Sequence, residues 1–276
     1  MTLAHRESSS AAQLRVAAAA LRPGAARYLY GLIRTVEHRD FGSIGLEEHG
    51  ERTRVYTIRV GSVGAVVSDH PVVERLLPLR ANLEGHHRVI RDVMATVTIL
   101  PMSFGHLAAS DDEVRRLVMQ HGQSIAAALD RIDGKAEMAL RVEWDVDNVF
   151  EHLVSVEREL AAHRDRLFGG SHPPSMAERV ELGRTFAQCL DDRREEVGER
   201  VLAGLQPCAI DARSNPPKNE KVVMDASFLV ARDSTREFED AVYRVAAGFP
   251  SSYVFDYSGP WAPFHFVELD LRRAAA

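Results

Sequence analysis

The sequence predicts an α+β protein, with an N-terminal modified ferredoxin-like domain followed by a second α+β domain that contains a long antiparallel helical hairpin. Three observations carry this. Over residues 27–145, apolar and alternating segments enclose two stretches of helical periodicity, in the order strands, helix, strand, helix, strand. From Val149 the apolar positions step by four and three through Leu153, Val156 and Leu160, the seam of a narrowly buried helix. From residue 221 strand-like alternation returns, with one more helix before the chain ends.

The elements follow in order. Residues 1–26 read as a disordered tail. Ala17 to Leu21 is apolar, but alanine-dominated and cut off by Arg22-Pro23, too weak for a secretory signal. Residues 27–34, Arg-Tyr-Leu-Tyr-Gly-Leu-Ile-Arg, suit a buried strand, in which Gly31 marks a bulge or a close backbone approach. A loop with Gly42, Gly45 and Gly50 leads to alternation over residues 53–60 and, past Gly61 and Gly64, to a hairpin partner at 63–67. Asn82 can cap a helix in which Leu83, His86 or His87, Ile90, Val93, Met94 and Val97 share a face. Pro101 stands just beyond its end. Residues 101–107 read as a short strand.

Ser110-Asp-Asp-Glu113 is a capping box, opening a helix with the stripe Val114, Leu117, Val118, Ile125, Leu129 and Ile132 and a stop at Gly134. Residues 135–145 alternate, with Met138, Leu140, Val142 and Trp144 on one side, and close the first domain, 27–145. The second domain, 146–276, opens with the hairpin over 146–204, two long helices joined by the breaker Gly169-Gly-Ser-His-Pro-Pro174. Residues 212–220 are a polar loop and 221–230 a strand. Ser234-Thr-Arg-Glu237 is a second capping box. Terminal strands at 253–257 and 264–269 flank a turn carrying Gly259, Pro260, Trp261 and Pro263.

Composition narrows the function. With 276 residues, 45% hydrophobic and 27% charged, the chain has ordinary globular usage and enough length for two domains. A net charge of -6 argues against a generic grip on nucleic acid, which needs cationic surface to displace counterions. No apolar run reaches the ~18 residues of a membrane span. Two cysteines, Cys189 and Cys208, are too few for a disulfide framework or a four-cysteine zinc site, and read as reduced thiols in a cytoplasmic protein.

Motifs that carry chemistry are missing. The adjacent His86 and His87 point about 100° apart on a helix and cannot easily share one metal, while a helical zinc site needs histidines one turn apart. Cys189 lies within an amphipathic helix, where an inert thiol is expected. Ser103 sits in Pro-Met-Ser-Phe-Gly rather than in a nucleophile elbow, and no phosphate-cradling glycine loop occurs. Tyr28 and Tyr30 share a strand face, but without the basic aromatic pattern of RNA-binding sheets. The reading is of no enzyme, no cofactor, no metal and no small-molecule substrate.

Several segments resemble the gas vesicle F/L (GvpL/GvpF) family. Tyr28-Leu-Tyr-Gly-Leu-Ile33 is similar to its first strand. His86-His-Arg-Val-Ile90, followed by Ile99-Leu-Pro-Met-Ser-Phe-Gly105, is similar to its central helix-to-strand signature. Residues 137–142 and 221–230 resemble later strands, and Phe255-Asp-Tyr-Ser-Gly-Pro-Trp-Ala-Pro-Phe-His-Phe-Val267 resembles its ending. The resemblance implies a cytoplasmic accessory protein, located at the gas vesicle, that binds the major shell protein or other gas vesicle accessory proteins without turnover. For such a role the residues suggest a partner-binding surface near Tyr28, Tyr30, Tyr56 and Phe104, with Gly259, Pro260, Trp261 and Pro263 structural and Trp261 anchoring its turn. The alternatives are docking through the helical hairpin, and a histidine-based metal enzyme.

Overall fold

The computed structural model describes residues 22–73, 75–170 and 172–267. They form two compact units, one of residues 22–134 with 262–267 and one of Lys135–Trp261.

The first unit is built on an antiparallel sheet of β1 (Arg22–Arg34), β2 (Asp40–Gly42), β5 (Val55–Val60), β6 (Val63–Val72) and β7 (Ile99–Pro101), ordered β2-β5-β6-β1-β7. A separate short ribbon of β3 (Glu47–Glu48) and β4 (Glu51–Arg52) occupies the glycine-bearing loop, and β8 (Leu107–Ala108) also pairs with β1. Alternation sends side chains to two faces. Leu29, Ile58, Ala65 and Val67 join the core beneath α2 (Asp111–Gln120) and α3 (Gly122–Ile132). Tyr28 and Tyr30 face α1 (Arg80–Met94), which buries His86, Val89, Ile90 and Val93.

The second unit is a four-stranded antiparallel sheet in the order β10-β11-β9-β12, from β9 (Lys135–Trp144), β10 (Asp211–Asn215), β11 (Val222–Ala231) and β12 (Tyr253–Trp261). One face carries Met138, Leu140, Val142, Ala226, Phe228 and Val230 into a core shared with α4 (Val149–Val156), α5 (Arg158–Phe168), α6 (Met176–Leu205) and α7 (Thr235–Ala246). Chain order β9, α6, β10, β11, α7, β12 with this sheet order is the βαββαβ ferredoxin arrangement, with α4 and α5 inserted before its first helix. The first unit repeats the strand order in β5-β6-β1-β7. There a loop replaces the first crossover helix, which is the modification.

The hairpin is present. His163 Nδ1 lies 2.8 Å from Thr185 Oγ1 on α6, and Glu157 pairs with Arg193, so advancing along α5 retreats along α6. Its first arm is interrupted at Glu157, which is extended at φ -102, ψ 107, and α4 turns back so that Phe150 meets Phe186 at 5.4 Å. Val156, placed on the seam by its spacing, is therefore 50% exposed. Periodicity runs unbroken through a kink one residue long and cannot register it.

Other expectations change too. Residues 135–145 do not close the first domain. β9 pairs with β11 and β12, so the boundary falls at 134, because an apolar face specifies burial without naming its sheet. β1 begins at Arg22, so the end of the expected tail is strand, and residues 1–21 lie outside the described residues. Residues 101–107 are not one strand: 102–106 connect the end of β7 to the start of β8. The expected strand at 264–269 is absent over 264–267, and residues 268 and 269 lie outside the described residues.

Capping follows local competition. Ser110 Oγ accepts from Glu113 N at 3.3 Å, as expected. Asn82 does not cap: α1 starts at Arg80, and Asn82 Nδ2 donates to Leu77 O at 3.0 Å. Ser234 makes no cap bond, because a 3-10 turn over Arg232–Ser234 precedes α7. A full capping box instead joins Ser175 and Glu178 at the start of α6. α2 and α3 split at His121, although the whole stripe from Val114 to Ile132 still reaches the core.

Gly31 is needed for closeness. The register slips between Leu29 and Gly31, and a Cβ at Gly31 would stand 2.6 Å from Leu100 O and 2.7 Å from the Ile99 side chain. Gly31→Ala must push β7 from β1, at a cost of roughly 1–3 kcal/mol typical of overpacking. Urea unfolding of the variant is expected to show that loss, and an unchanged midpoint would contradict the packing.

Candidate functional site

The four residues expected to form one partner-binding surface are split between opposite faces of the first sheet. Tyr28 and Tyr30 are each 0% exposed and lie under α1. Phe104 sits half-buried beside them, its ring 6.0 Å from Tyr28 and 5.7 Å from His86. Tyr56 points to the other face, against the core formed with α2 and α3, and its hydroxyl donates to Asp69 at 2.8 Å. Two neighbouring bonds fix that corner: Arg27 reaches Asp69 at 3.2 Å and Asp111, at the start of α2, at 2.6 Å. A partner cannot touch Tyr28 or Tyr30 in this arrangement.

What the tyrosines do instead is structural and specific. His86 Nε2 lies 3.0 Å from Met102 O, a carbonyl that can only accept, so Nε2 carries the proton. Nδ1 is then an acceptor, and the Tyr28 hydroxyl 2.9 Å away donates to it. The same phenolic oxygen accepts from Gly105 N at 3.2 Å. One chain of three hydrogen bonds therefore runs from Gly105 through Tyr28 and His86 to Met102, closing both ends of the Pro-Met-Ser-Phe-Gly loop onto β1 and α1. Tyr30 completes the cluster. Its ring stacks on His86 at 5.8 Å, while its hydroxyl accepts from Leu46 N and shares a bond with Ser68 Oγ, both at 3.0 Å.

Electrostatics agree with this assignment. Burial pushes the His86 imidazole down to about 4 and raises both tyrosine hydroxyls, so all three stay neutral near pH 7. His87 projects differently, with its ring 5.7 Å from Phe264. Helical periodicity had placed one of the pair on the buried face, and that signal could have marked His86 as the linchpin. Polar bonding partners are not visible in a sequence.

The remaining candidates are quieter. Cys189 is half-buried, and burial together with the charges of Glu157, Glu159 and Asp192 pushes its thiol up, the opposite of activation. Among the described residues, no group of three or more His, Cys, Asp or Glu is arranged to hold a metal ion. Gly259 and Pro260 lie inside β12, joined by a cis peptide, where the register with β9 slips between Ser258 and Trp261. They form a bulge, not the expected turn between strands. Gly259 has φ 141, and a Cβ there would meet Met138 at 2.8 Å. Pro263 is buried, but Trp261 remains 43% exposed and its Nε1 donates to Ser258 Oγ at 3.2 Å. The indole does not anchor the segment in a core, as had been expected.

Comparison with known proteins gives this architecture its class. The family described as gas vesicle synthesis protein GvpL/GvpF matches residues 26–268, and the chain belongs to that family. Gas vesicle protein F of Streptomyces sp. (strain CB03234) is 27% identical over 246 residues, covering 87% of this chain and 99% of the relative. Gas vesicle protein L of the same organism is 28% identical over 209 residues, covering 69% and 74%. The crystal structure of GvpF from Anabaena sp. PCC7120 superposes with a TM-score of 0.76 at 22% identity, over 90% of this chain and 100% of that one. GvpF from Microcystis aeruginosa gives 0.72 at 20% identity, over 88% and 99%. The fold is that of the GvpF structures, and the role is tied to gas vesicles. No helix among the described residues is long and apolar enough to cross a membrane.

The buried imidazole has a measurable consequence. An unfolded histidine takes up its proton near 6.5, the folded His86 only near 4, so protons bind the unfolded chain first. The His86 contribution is complete above pH 6.5 and lost as pH falls to about 4, at most roughly 3 kcal/mol. Urea titrations of His86→Gln, whose amide can donate and accept without titrating, are expected to show a flatter dependence across that window. Parallel curves for variant and parent would contradict a buried neutral His86.

Proposed function

We propose that this chain is a gas vesicle assembly protein that binds the major shell protein or other gas vesicle accessory proteins while the vesicle is built. It acts in the cytoplasm and at the vesicle by presenting surfaces, without turnover. The observation that carries the reading is the family match, which spans both units from residue 26 to 268. Physical reasoning gives it content. A shell subunit with a strongly apolar face aggregates unless something covers that face before assembly.

One structural observation favours docking through the helical hairpin. Phe168 at the end of α5 is 59% exposed, and Met176 and Val180, one turn apart at the start of α6, are 77% and 47% exposed. Large apolar side chains left in solvent cost burial energy that only a partner recovers. Burial of Tyr28 and Tyr30 removes half of the surface suggested on the first sheet.

The test is a pull-down with the tagged full chain against the major shell protein and each accessory protein of one gas vesicle gene cluster. Retention of at least one of them is expected, with loss for the triple variant F168S/M176S/V180S. Retention of none would contradict the proposed function. Equal retention by the triple variant would refute only the hairpin reading.

A further inference from the structure

The second sheet leaves β12 at its edge: among the described residues it pairs with β9 alone. An edge strand carries a row of unpaired backbone donors and acceptors. Proteins usually blunt such edges with lysine, with inward charges or with a covering element. β12 reads Tyr-Val-Phe-Asp-Tyr-Ser-Gly-Pro-Trp, with no lysine, and its proline and bulge come only at the far end. Over Tyr253 to Ser258 the edge is regular.

Beside this edge lies a concavity of about 540 Å³, between β12, α7 and the segment joining them. Tyr253, Phe255 and Tyr257 line its floor, Phe249 one end and Tyr243 the rim. The floor is ordered by ring packing, with Phe249 5.4 Å from Tyr253 and 5.2 Å from Phe255. Arg200 lies 4.2 Å over Phe249 and donates to Gly248 O, so the end wall is braced from α6. Tyr243 is 66% exposed, so its ring is open to a ligand in the hollow. A strand laid along β12 would send every second side chain into this hollow, continuing the face formed by Tyr253, Phe255 and Tyr257.

Charge selects the occupant. Asp256 is the one charged residue among those lining the hollow; it is exposed and stands opposite Arg141 of β9, whose guanidinium is taken by Asp225 at 3.3 Å. The Glu239 carboxylate on α7 lies near enough to help push the Tyr257 hydroxyl up to about 12, after burial. An added strand therefore meets the aromatic rings on the face toward α7 and Asp256 on the opposite face. The first favours apolar side chains, and the second favours cations through pairing across strands.

We propose that β12 and the hollow beside it form a docking site for an extended segment of another protein, added antiparallel to β12, with apolar side chains alternating with lysine or arginine. Main-chain pairing with the edge would supply affinity, and the hollow and Asp256 would supply selection. The proposal deepens the reading of this chain as a protein that works by binding others, and assigns it a site distinct from the hairpin tip.

The probe is a blocked, fluorescently labelled nonapeptide alternating Lys and Val, read by anisotropy against the full chain. Controls are the same peptide with Glu for Lys, and the Lys peptide N-methylated along one edge. Saturable binding of the Lys peptide is expected, at least tenfold weaker for the Glu and N-methyl peptides. Asp256→Lys, a surface change on a solvated edge, is expected to reverse the Lys-over-Glu preference. Ala246→Trp, which fills the hollow, is expected to weaken the Lys peptide at least tenfold, with circular dichroism checking that it folds. Absence of binding, equal binding of the Lys and Glu peptides, or a preference unmoved by Asp256→Lys would overturn the site. If both variants still retain gas vesicle proteins in the pull-down while the peptide fails, the site is wrong and the assembly role stands.

Discussion

The first unit depends on a hydrogen-bonded chain that is only three links long. Gly105 donates to Tyr28, Tyr28 donates to His86, and His86 donates to Met102. Each group is buried or partly buried, so each would cost about 1–3 kcal/mol if left unpaired. The chain joins a strand, a helix and a loop, and its widest link spans 77 residues, from Gly105 to Tyr28. This explains in physical terms why a tyrosine-bearing first strand, a paired-histidine helix and a Pro-x-x-Phe-Gly loop occur together. They are three parts of one bonded cluster, and their function is to hold the sheet and α1 in a single arrangement.

The second unit solves a different problem. Its sheet buries one face under four helices, and the longest of them, α6, runs 30 residues. A helix of that length reaches beyond the sheet that it covers, so its first turns and the end of α5 are left with exposed apolar side chains. The last strand of this sheet, β12, is left as an edge. Both features cost stability and solubility in an isolated chain. They become useful in a protein whose partners cover them.

Much of this was legible in the residues. Alternation located β5, β9 and β11, the glycine turn placed the first half of β6, and the helical stripe from Val114 to Ile132 reaches the core. Gly31 announced a close approach, which β7 makes. The failures of placement share a cause: they were decided by contacts distant in the chain, whereas the missed caps at Asn82 and Ser234 were decided locally. β9 carries the same apolar alternation whichever sheet receives it. β10, with Asp, Ala, Arg, Ser and Asn, has no strand signal of its own and exists because β11 offers an edge. Tyr28 and Tyr30 look like interface aromatics until His86, Ser68 and Leu46 are seen to satisfy their hydroxyls. Trp261 looks like an anchor, and no local pattern says that it remains in solvent.

The central claim is that this molecule works by lending surfaces to other proteins during gas vesicle formation. Crosslinking mass spectrometry in cells building vesicles with this chain as their F/L protein tests it most directly. The account predicts crosslinks from the chain to at least one other gas vesicle protein, concentrated on the second unit and lost when vesicle synthesis is switched off. Crosslinks confined to the chain itself, in cells that assemble vesicles at full yield without it, would contradict the account.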